Sequence, residues 1–209
     1  MWCCSRGRPK AAASSPEEPP LAPEDIALSP RATQPLRAPS EVTRESLFGA
    51  VEEDDGCLVE ALIAQGVGVD EADEDGYTAL ILAAEEGSAE SVDRLLAAGA
   101  DRGARDSYGR TALYAAAVSG KLNTCLALLE GGADPGAVDG EGRSVLWAAC
   151  ATRNLDVAAA LADAGADVNA ADAAGVSPLQ HATNVGYAEV IDFLLKRGAA
   201  DDDKGRLSL

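Results

Sequence analysis

The sequence predicts an all-α solenoid, in which short helix-turn-helix units stack side by side. The first observation is a step of 33 residues that relates similar residues through most of the chain. A second is the i, i+3, i+4 spacing of apolar residues, as in Val92, Leu95 and Leu96, which indicates an amphipathic helix. A fixed period of this length is typical of stacked repeats. Glycines recur at this step in two sets: Gly76, Gly109, Gly142 and Gly175, then Gly99, Gly132, Gly165 and Gly198.

Each period is predicted to open with a tight turn that leads into a helix. An aspartate stands three residues before the first glycine, as in Asp73 and Gly76, and this pairing favours a turn because glycine accepts a positive φ. Two residues later comes a hydroxyl side chain that can cap the first N–H groups of a helix. Ser177 and Gln180 also fit a capping box. The four hydroxyl residues are Thr78, Thr111, Ser144 and Ser177.

The first helix of a period is predicted to end at a residue in the left-handed αL conformation. Gly87, Gly120 and Gly186 stand at this position and suit it. Arg153 breaks the series. Either Arg153 adopts αL at a cost of roughly 1–2 kcal/mol, or the stop shifts by one residue to Asn154.

The period resembles the ankyrin repeat, whose pattern is Asp-x-x-Gly-x-Thr-Pro-Leu-His-x-Ala-Ala-x-x-Gly, a second helix and then Gly-Ala-Asp. Residues 106–134 follow this pattern closely, and residues 165–170 and 175–182 match its tail and its start. The resemblance implies an ankyrin-type solenoid whose β-turns form a row of tips. The family's histidine in the first helix is replaced by Ile81, Tyr114, Trp147 and Gln180.

Four full copies are predicted, at 73–105, 106–138, 139–171 and 172–204. A degenerate first copy at 41–72 keeps the apolar frame, including Leu47 and Val59, but lacks the turn glycine and the threonine. Terminal repeats are expected to be atypical because one of their sides faces water. The predicted repeat domain is therefore 41–209, with about five repeats.

Residues 1–40 differ in composition from the repeats. They hold eight of the ten prolines, many alanines and serines, and no periodic apolar face. Such a segment buries too little surface to offset the entropy of ordering, so a disordered tail is predicted. A short partner motif at 16–20 is an alternative use of it.

The charge excludes some partners and favours others. The net charge is −18, and the residues after position 40 hold 12 basic and 31 acidic side chains. A domain this acidic repels phosphate backbones, so nucleic-acid binding is not expected. The acidity either steers a partner protein with a basic surface or only keeps an alanine-rich monomer in solution.

Five cysteines, one histidine and no Cys-x-x-Cys pair predict neither disulfides nor a metal site, which favours a cytoplasmic or nuclear protein. Cys125 and Cys150 are expected to be small buried residues. Cys3 and Cys4 lie near three basic residues, so acylation and a membrane-tethered scaffold form an alternative hypothesis.

No catalytic motif is present. The phosphate-binding, dinucleotide-binding and His-Glu-x-x-His patterns are all missing. His181 falls in the apolar frame of a helix, where a packing role is expected rather than general base catalysis. We therefore expect a non-enzyme without cofactor or small-molecule substrate.

The resemblance implies that a partner protein contacts the turn tips and the exposed side of the first helices. Tyr108 with Arg110 is the favoured patch, because tyrosine and arginine are frequent hot-spot residues. Ordinary exposed turn residues are the alternative. The tip positions are Asp75, Tyr77, Tyr108, Arg110, Glu141, Arg143, Ala174 and Val176. The helix positions are Glu85, Glu86, Val118, Ser119, Ala151, Thr152, Asn184 and Val185.

Three further residues leave alternatives open. Tyr114 and Trp147 occupy equivalent positions, and they either stack between repeats or extend the binding surface. Asn169 occupies the position that asparaginyl hydroxylases modify in animal ankyrin proteins, which makes it a candidate modification site. Its side chain can also simply close the turn.

Overall fold

The computed structural model describes residues 43–200, and the secondary structure in that range consists of ten α-helices and one isolated β-bridge. The disorder expected for residues 1–40 lies outside the described residues, as do Cys3, Cys4 and the last nine residues. The helices are α1 (Arg44–Glu52), α2 (Gly56–Ala64), α3 (Ala79–Glu86), α4 (Ala89–Ala97), α5 (Ala112–Val118), α6 (Leu122–Glu130), α7 (Val145–Ala151), α8 (Leu155–Asp163), α9 (Pro178–Val185) and α10 (Ala188–Lys196).

The helices form two layers of stacked pairs, which confirms the predicted solenoid. Each odd-numbered helix packs on the even-numbered helix that follows it and on the next odd-numbered helix. The even-numbered helices are nine residues long and begin at a constant 33-residue step. Helix α1 departs from the step, because it begins two residues before the position equivalent to the start of α3.

The core runs continuously through the stack. Leu80, Leu113 and Leu146 occupy one position of three successive first helices, and none is more than 1% exposed. Burial of a leucine side chain contributes about 1.5–3 kcal/mol. The alanines at 115–117 are also buried, and their small side chains let the backbones of α3, α5 and α7 approach closely.

Hydroxyl caps begin the first helices of the last four pairs, as predicted. The side chains of Thr78, Thr111, Ser144 and Ser177 accept hydrogen bonds from the amide three residues later at 3.0–3.3 Å. The capping box of Ser177 and Gln180 is complete, since the Gln180 side chain accepts from the Ser177 amide. In contrast, Thr43 makes no side-chain cap bond to α1.

The αL stop is also present, and the structure decides between the two predictions for the irregular copy. Gly87, Gly120 and Gly186 have φ values of 84°, 68° and 87°. Arg153 has φ 63° and takes the glycine's place, so the predicted shift to Asn154 is wrong. Asn154 has φ −82°, and its side-chain amide instead donates to two carbonyls at the end of α5.

The matching position in the first pair is Asp54, at φ 50°. Its carboxylate accepts bonds from the amide and the hydroxyl of Ser91 at 3.1 and 3.0 Å. Aspartate tolerates αL better than most residues, and here its side chain also fastens the first pair to the second.

Within residues 43–200, no helix has the length and apolar character needed to cross a membrane.

Candidate functional site

The four turn tips share one hydrogen-bonding scheme, which the third copy illustrates. The Gly109 amide donates to the Asp106 carbonyl at 2.9 Å and closes a β-turn. The Asp106 carboxylate accepts from the amides of Tyr108 and Arg110 at 2.9 and 2.8 Å. The aspartates therefore close the turns with their own side chains, as predicted from the residue types. The equivalent aspartates are Asp73, Asp139 and Asp172.

Main-chain hydrogen bonds connect each tip to the next. The Ser107 amide donates to the Asp75 carbonyl, and the Gly140 amide donates to the Tyr108 carbonyl, both at 2.8 Å. The Ala173 amide donates to Glu141 at 2.9 Å. The four tips thus form one row whose spacing is fixed by the backbone.

Tyr77, Tyr108 and Arg110 form a compact group that we call the tip cluster. The Arg110 Nε donates to Asp106 at 2.7 Å, and its Nη2 donates to the Tyr77 hydroxyl at 3.0 Å. The guanidinium carbon lies 5.0 Å from the Tyr108 ring centre and 5.9 Å from that of Tyr77. Arg110 therefore holds the cluster together from within the chain.

Tyr77 joins the tip cluster to the first-helix layer. Its hydroxyl donates a hydrogen bond to the Glu85 carboxylate on α3. Burial, with the hydrogen bond to Glu85, raises the pKa of Tyr77 to about 12. Tyr108 is different, because 69% of its surface is exposed while its ring lies beside the Arg110 guanidinium.

The next tip contains a second arginine held in the same way. The buried Asp139 accepts from Arg143 Nε at 2.8 Å and from the Tyr114 hydroxyl at 2.7 Å. Burial disfavours the charge on Asp139, but these bonds and two backbone amides outweigh it and lower its pKa. Arg143 also pairs with Glu141 at 3.1 Å.

Tyr114 and Trp147 pack between repeats, so the alternative that they extend an open surface is wrong. Tyr114 is 4% exposed and Trp147 is 9% exposed. The Trp147 ring centre lies 4.6 Å from that of His181, and the Tyr187 ring meets the imidazole edge to face at 6.5 Å between ring centres. His181 therefore has the packing role predicted for it.

The predicted first-helix residues lie at equivalent helix ends. Because α3, α5, α7 and α9 pack side by side, the residue pairs at their carboxyl ends form a continuous row. Glu52 and Glu53 of α1 extend it by one pair that the sequence interpretation had not included among the contact residues. We call this set the helix-end row: Glu52 and Glu53, Glu85 and Glu86, Val118 and Ser119, Ala151 and Thr152, Asn184 and Val185.

Charge is unevenly distributed along the helix-end row. Residues 52–93 contain fourteen acidic residues and neither lysine nor arginine. Glu52, Glu53 and Glu86 are exposed and form no ion pair or side-chain hydrogen bond within residues 43–200. The row is thus acidic in its first two pairs and uncharged in its last three.

Asn169 has a structural partner. It is exposed, and its side-chain oxygen accepts from the Ala200 amide at 2.7 Å. Asp70, the equivalent residue of the first pair, accepts from the Asp101 amide at 2.8 Å. Both side chains connect one loop to the next, while hydroxylation of Asn169 stays a prediction.

The remaining chemistry of the described residues is limited. Cys125 and Cys150 are buried as predicted, and burial raises the pKa of each thiol to about 12. Cys57 is exposed. Within residues 43–200, no group of three or more His, Cys, Asp or Glu side chains is placed to hold a metal ion.

Comparison with known proteins supports the repeat assignment. A family model described as ankyrin repeats, in three copies, matches residues 47–139 and residues 127–204. The two matches together cover most of the chain, including the four tips and the whole helix-end row. No curated protein matches the chain at a significant level.

Proposed function

Because the chain belongs to the ankyrin repeat family, whose repeats are generally protein–protein interaction modules, we propose that it binds a partner protein through the tip cluster and the helix-end row. Such repeats are typically non-catalytic, and the proposed role is that of an adaptor, scaffold or regulatory subunit without chemistry of its own. We expect it to act as a monomer in the cytoplasm or nucleus.

Exposure of Tyr108 on a fixed tip is the observation that carries the proposal. Its neighbours Tyr77 and Arg110 are half-buried and bonded within the chain, whereas 69% of the Tyr108 surface is open to solvent. A tyrosine that is already ordered loses little conformational freedom when a partner covers it. Tyrosine is also enriched among the residues that contribute most to binding.

Arg110 positions the neighbouring side chains of the tip cluster, so its substitution is a poor choice for the test. Its removal would leave the carboxylate of Asp106, whose side chain is 0% exposed, without its cation. Loss of one partner of a buried pair is strongly destabilising. The binding of an Arg110 variant would therefore report folding as well as contact.

The test compares Tyr108→Ala with the intact chain in affinity purification from cell extract. Leu126→Ala is the matched control, because Leu126 is 42% exposed on the second-helix layer. We expect a protein that the intact chain and the control retain and that Tyr108→Ala loses, at equal helical content by circular dichroism. If all three chains retained the same proteins equally, Tyr108 would not be part of the binding surface.

A further inference from the structure

We propose that an open cavity beside the loops that follow α4 and α6 binds a phosphate group, carried by inorganic phosphate or by a small phosphorylated molecule. The cavity has a volume of about 350 Å³, and its lining residues include Arg102, Arg105 and Thr111. This volume is at the lower end of the range for small-molecule sites. The site is separate from the partner surface proposed above.

Arg102 and Arg105 differ from the other arginines of the described chain because neither pairs with a carboxylate. Residues 43–200 contain eight arginines, and six of them lie 3.4 Å or less from an aspartate or glutamate oxygen. Since the chain after position 40 holds 31 acidic and only 12 basic side chains, two unpaired cations in one cavity are unexpected unless an anion binds there. The six paired residues are Arg44, Arg94, Arg110, Arg143, Arg153 and Arg197.

Both guanidinium groups are held by the main chain through Nη1 alone. Arg105 Nη1 donates to the carbonyls of Gly109 and Val138 at 2.9 and 2.6 Å, and Arg102 Nη1 donates to the carbonyl of Gly131. Among residues 43–200, no acceptor binds Nε or Nη2 of either arginine. These two N–H groups form the edge of a guanidinium that pairs with two oxygens of a phosphate or carboxylate. The arginines are therefore positioned without using the donors that an oxyanion needs.

Thr111 adds a buried hydroxyl to the lining of the cavity. Its side chain caps α5, because its oxygen accepts from the Tyr114 amide at 3.3 Å, and the residue is only 4% exposed. The hydroxyl hydrogen has no acceptor in the described part of the chain, so it can donate to an oxygen of a ligand. Gly132 makes room for one of the cations, since an added Cβ there would lie 3.0 Å from Arg102 Nη1.

Two aspartates in the lining restrict which anions the cavity can hold. Asp101 and Asp134 each accept from the amide two residues later at 2.8 Å, and neither forms an ion pair with the two arginines. Their charges and the acidic surface around them disfavour a long polyphosphate chain such as nucleic acid. A single phosphate group needs only the two guanidinium edges. The carboxylates can also accept hydrogen bonds from hydroxyl groups of a small phosphorylated molecule.

The test titrates the isotope-labelled full chain with inorganic phosphate and, separately, with glycerol phosphate, at neutral pH and at a constant ionic strength set with chloride. We expect the Nε–H resonances of Arg102 and Arg105 to shift in the NMR spectrum, whereas that of the ion-paired Arg153 should not. Glycerol alone should cause no shift. Tighter binding of glycerol phosphate would identify a phosphorylated small molecule as the ligand, and equal or tighter binding of inorganic phosphate would identify the free ion.

Two double variants distinguish pairing with the guanidinium edges from general attraction of charge. Arg102→Lys with Arg105→Lys keeps both positive charges but loses the edges, so it should bind the phosphate probe roughly tenfold more weakly. The matched control makes the same change at two ion-paired positions, Arg94→Lys with Arg153→Lys, and should keep the affinity of the intact chain. Absence of any shift with both probes, or full affinity in the first variant at equal helical content, would overturn the inference. Neither result bears on the Tyr108 test of the proposed function.

Discussion

Arg153→Gly provides a direct measure of the backbone strain in the fourth pair. Arg153 has φ 63° at a position where three other copies use glycine. For a residue with a side chain, this conformation costs roughly 1–2 kcal/mol. Glycine would remove that cost, but it would also remove the contacts of the arginine and increase the freedom of the unfolded chain.

The lost contacts are small in this case. The Arg153 guanidinium lies 5.4 Å from the Tyr187 ring centre and 3.4 Å from Glu189, and the paired side chains are 56% and 72% exposed. Exposed ion pairs contribute about 0–1 kcal/mol, and exposed cation–π contacts contribute about 0.5–1 kcal/mol. Arg153→Ala loses both contacts and keeps the αL strain, so it is the correct reference for Arg153→Gly.

We therefore expect Arg153→Gly to be more stable than Arg153→Ala by about 0.8 kcal/mol, within a range of roughly 0–1.5 kcal/mol. This value is the strain relief less roughly 0.5–1 kcal/mol for the greater backbone entropy of glycine in the unfolded chain. The free energy of unfolding is measured by urea titration with circular dichroism. Both variants lose every Arg153 atom beyond Cβ, so they differ only in the Cβ methyl group and its effect on the backbone.

Gly186→Ala serves as the reverse control. Gly186 has φ 87°, and an added Cβ would meet no heavy atom within 4 Å, so the alanine introduces strain without a clash. This variant should lose stability relative to the intact chain. If Arg153→Gly proved no more stable than Arg153→Ala while Gly186→Ala was destabilised, the strain assigned to Arg153 would be refuted.

Three other expectations concern titratable and reactive groups. Tyr114→Phe should destabilise the chain by about 1.5–3 kcal/mol at pH 7, because its hydroxyl donates to the charged Asp139, whereas the exposed Tyr108→Phe should have little effect. The pKa of Asp139 in the folded chain is below its ordinary value of 3.8, so the charge of Asp139 contributes fully to the free energy of unfolding above pH 3.8. This contribution is lost as the pH falls through the folded pKa, and Asp139→Asn should weaken this acid dependence of the unfolding free energy. In the Cys3→Ser, Cys4→Ser variant, a thiol reagent at pH 8 should modify the exposed Cys57 quickly and the two buried thiols only after unfolding. The same variant tests acylation in cells, because loss of its membrane association relative to the intact chain would support acylation of Cys3 and Cys4.

The sequence predicts the repeated features of this fold because each is local. Thr78 caps α3 by accepting from the amide three residues later, and Gly87 ends the same helix, so the spacing of residues is enough to predict both. The αL conformation of Asp54 was not predicted, because this position of the first pair carries no glycine. A period shows what the copies have in common, and Asp54 differs from its equivalents.

The internal partners of the candidate site could not be predicted for a related reason. Arg110 was expected to be available for binding, but its guanidinium contacts Tyr77, which lies 33 residues earlier, as well as Asp106. Similarly, Tyr114 reaches Asp139 across 25 residues. These contacts depend on how one copy differs from the next, and only the packed structure shows which side chains meet.

The main-chain bonds between tips have a consequence for how such a surface can change. Ser107, Gly140 and Ala173 hold the preceding tip through their amides, and these bonds do not depend on side-chain identity. Arg110 adds a side-chain bond to Tyr77 on the preceding tip, but Tyr108 and Glu141 contribute no side-chain hydrogen bond between tips among the described residues. For the binding surface proposed above, substitutions at Tyr108 or Glu141 would therefore alter its chemistry without changing the distance between the tips. The backbone bonds keep the spacing of the tips constant while the side chains at these two positions can be exchanged.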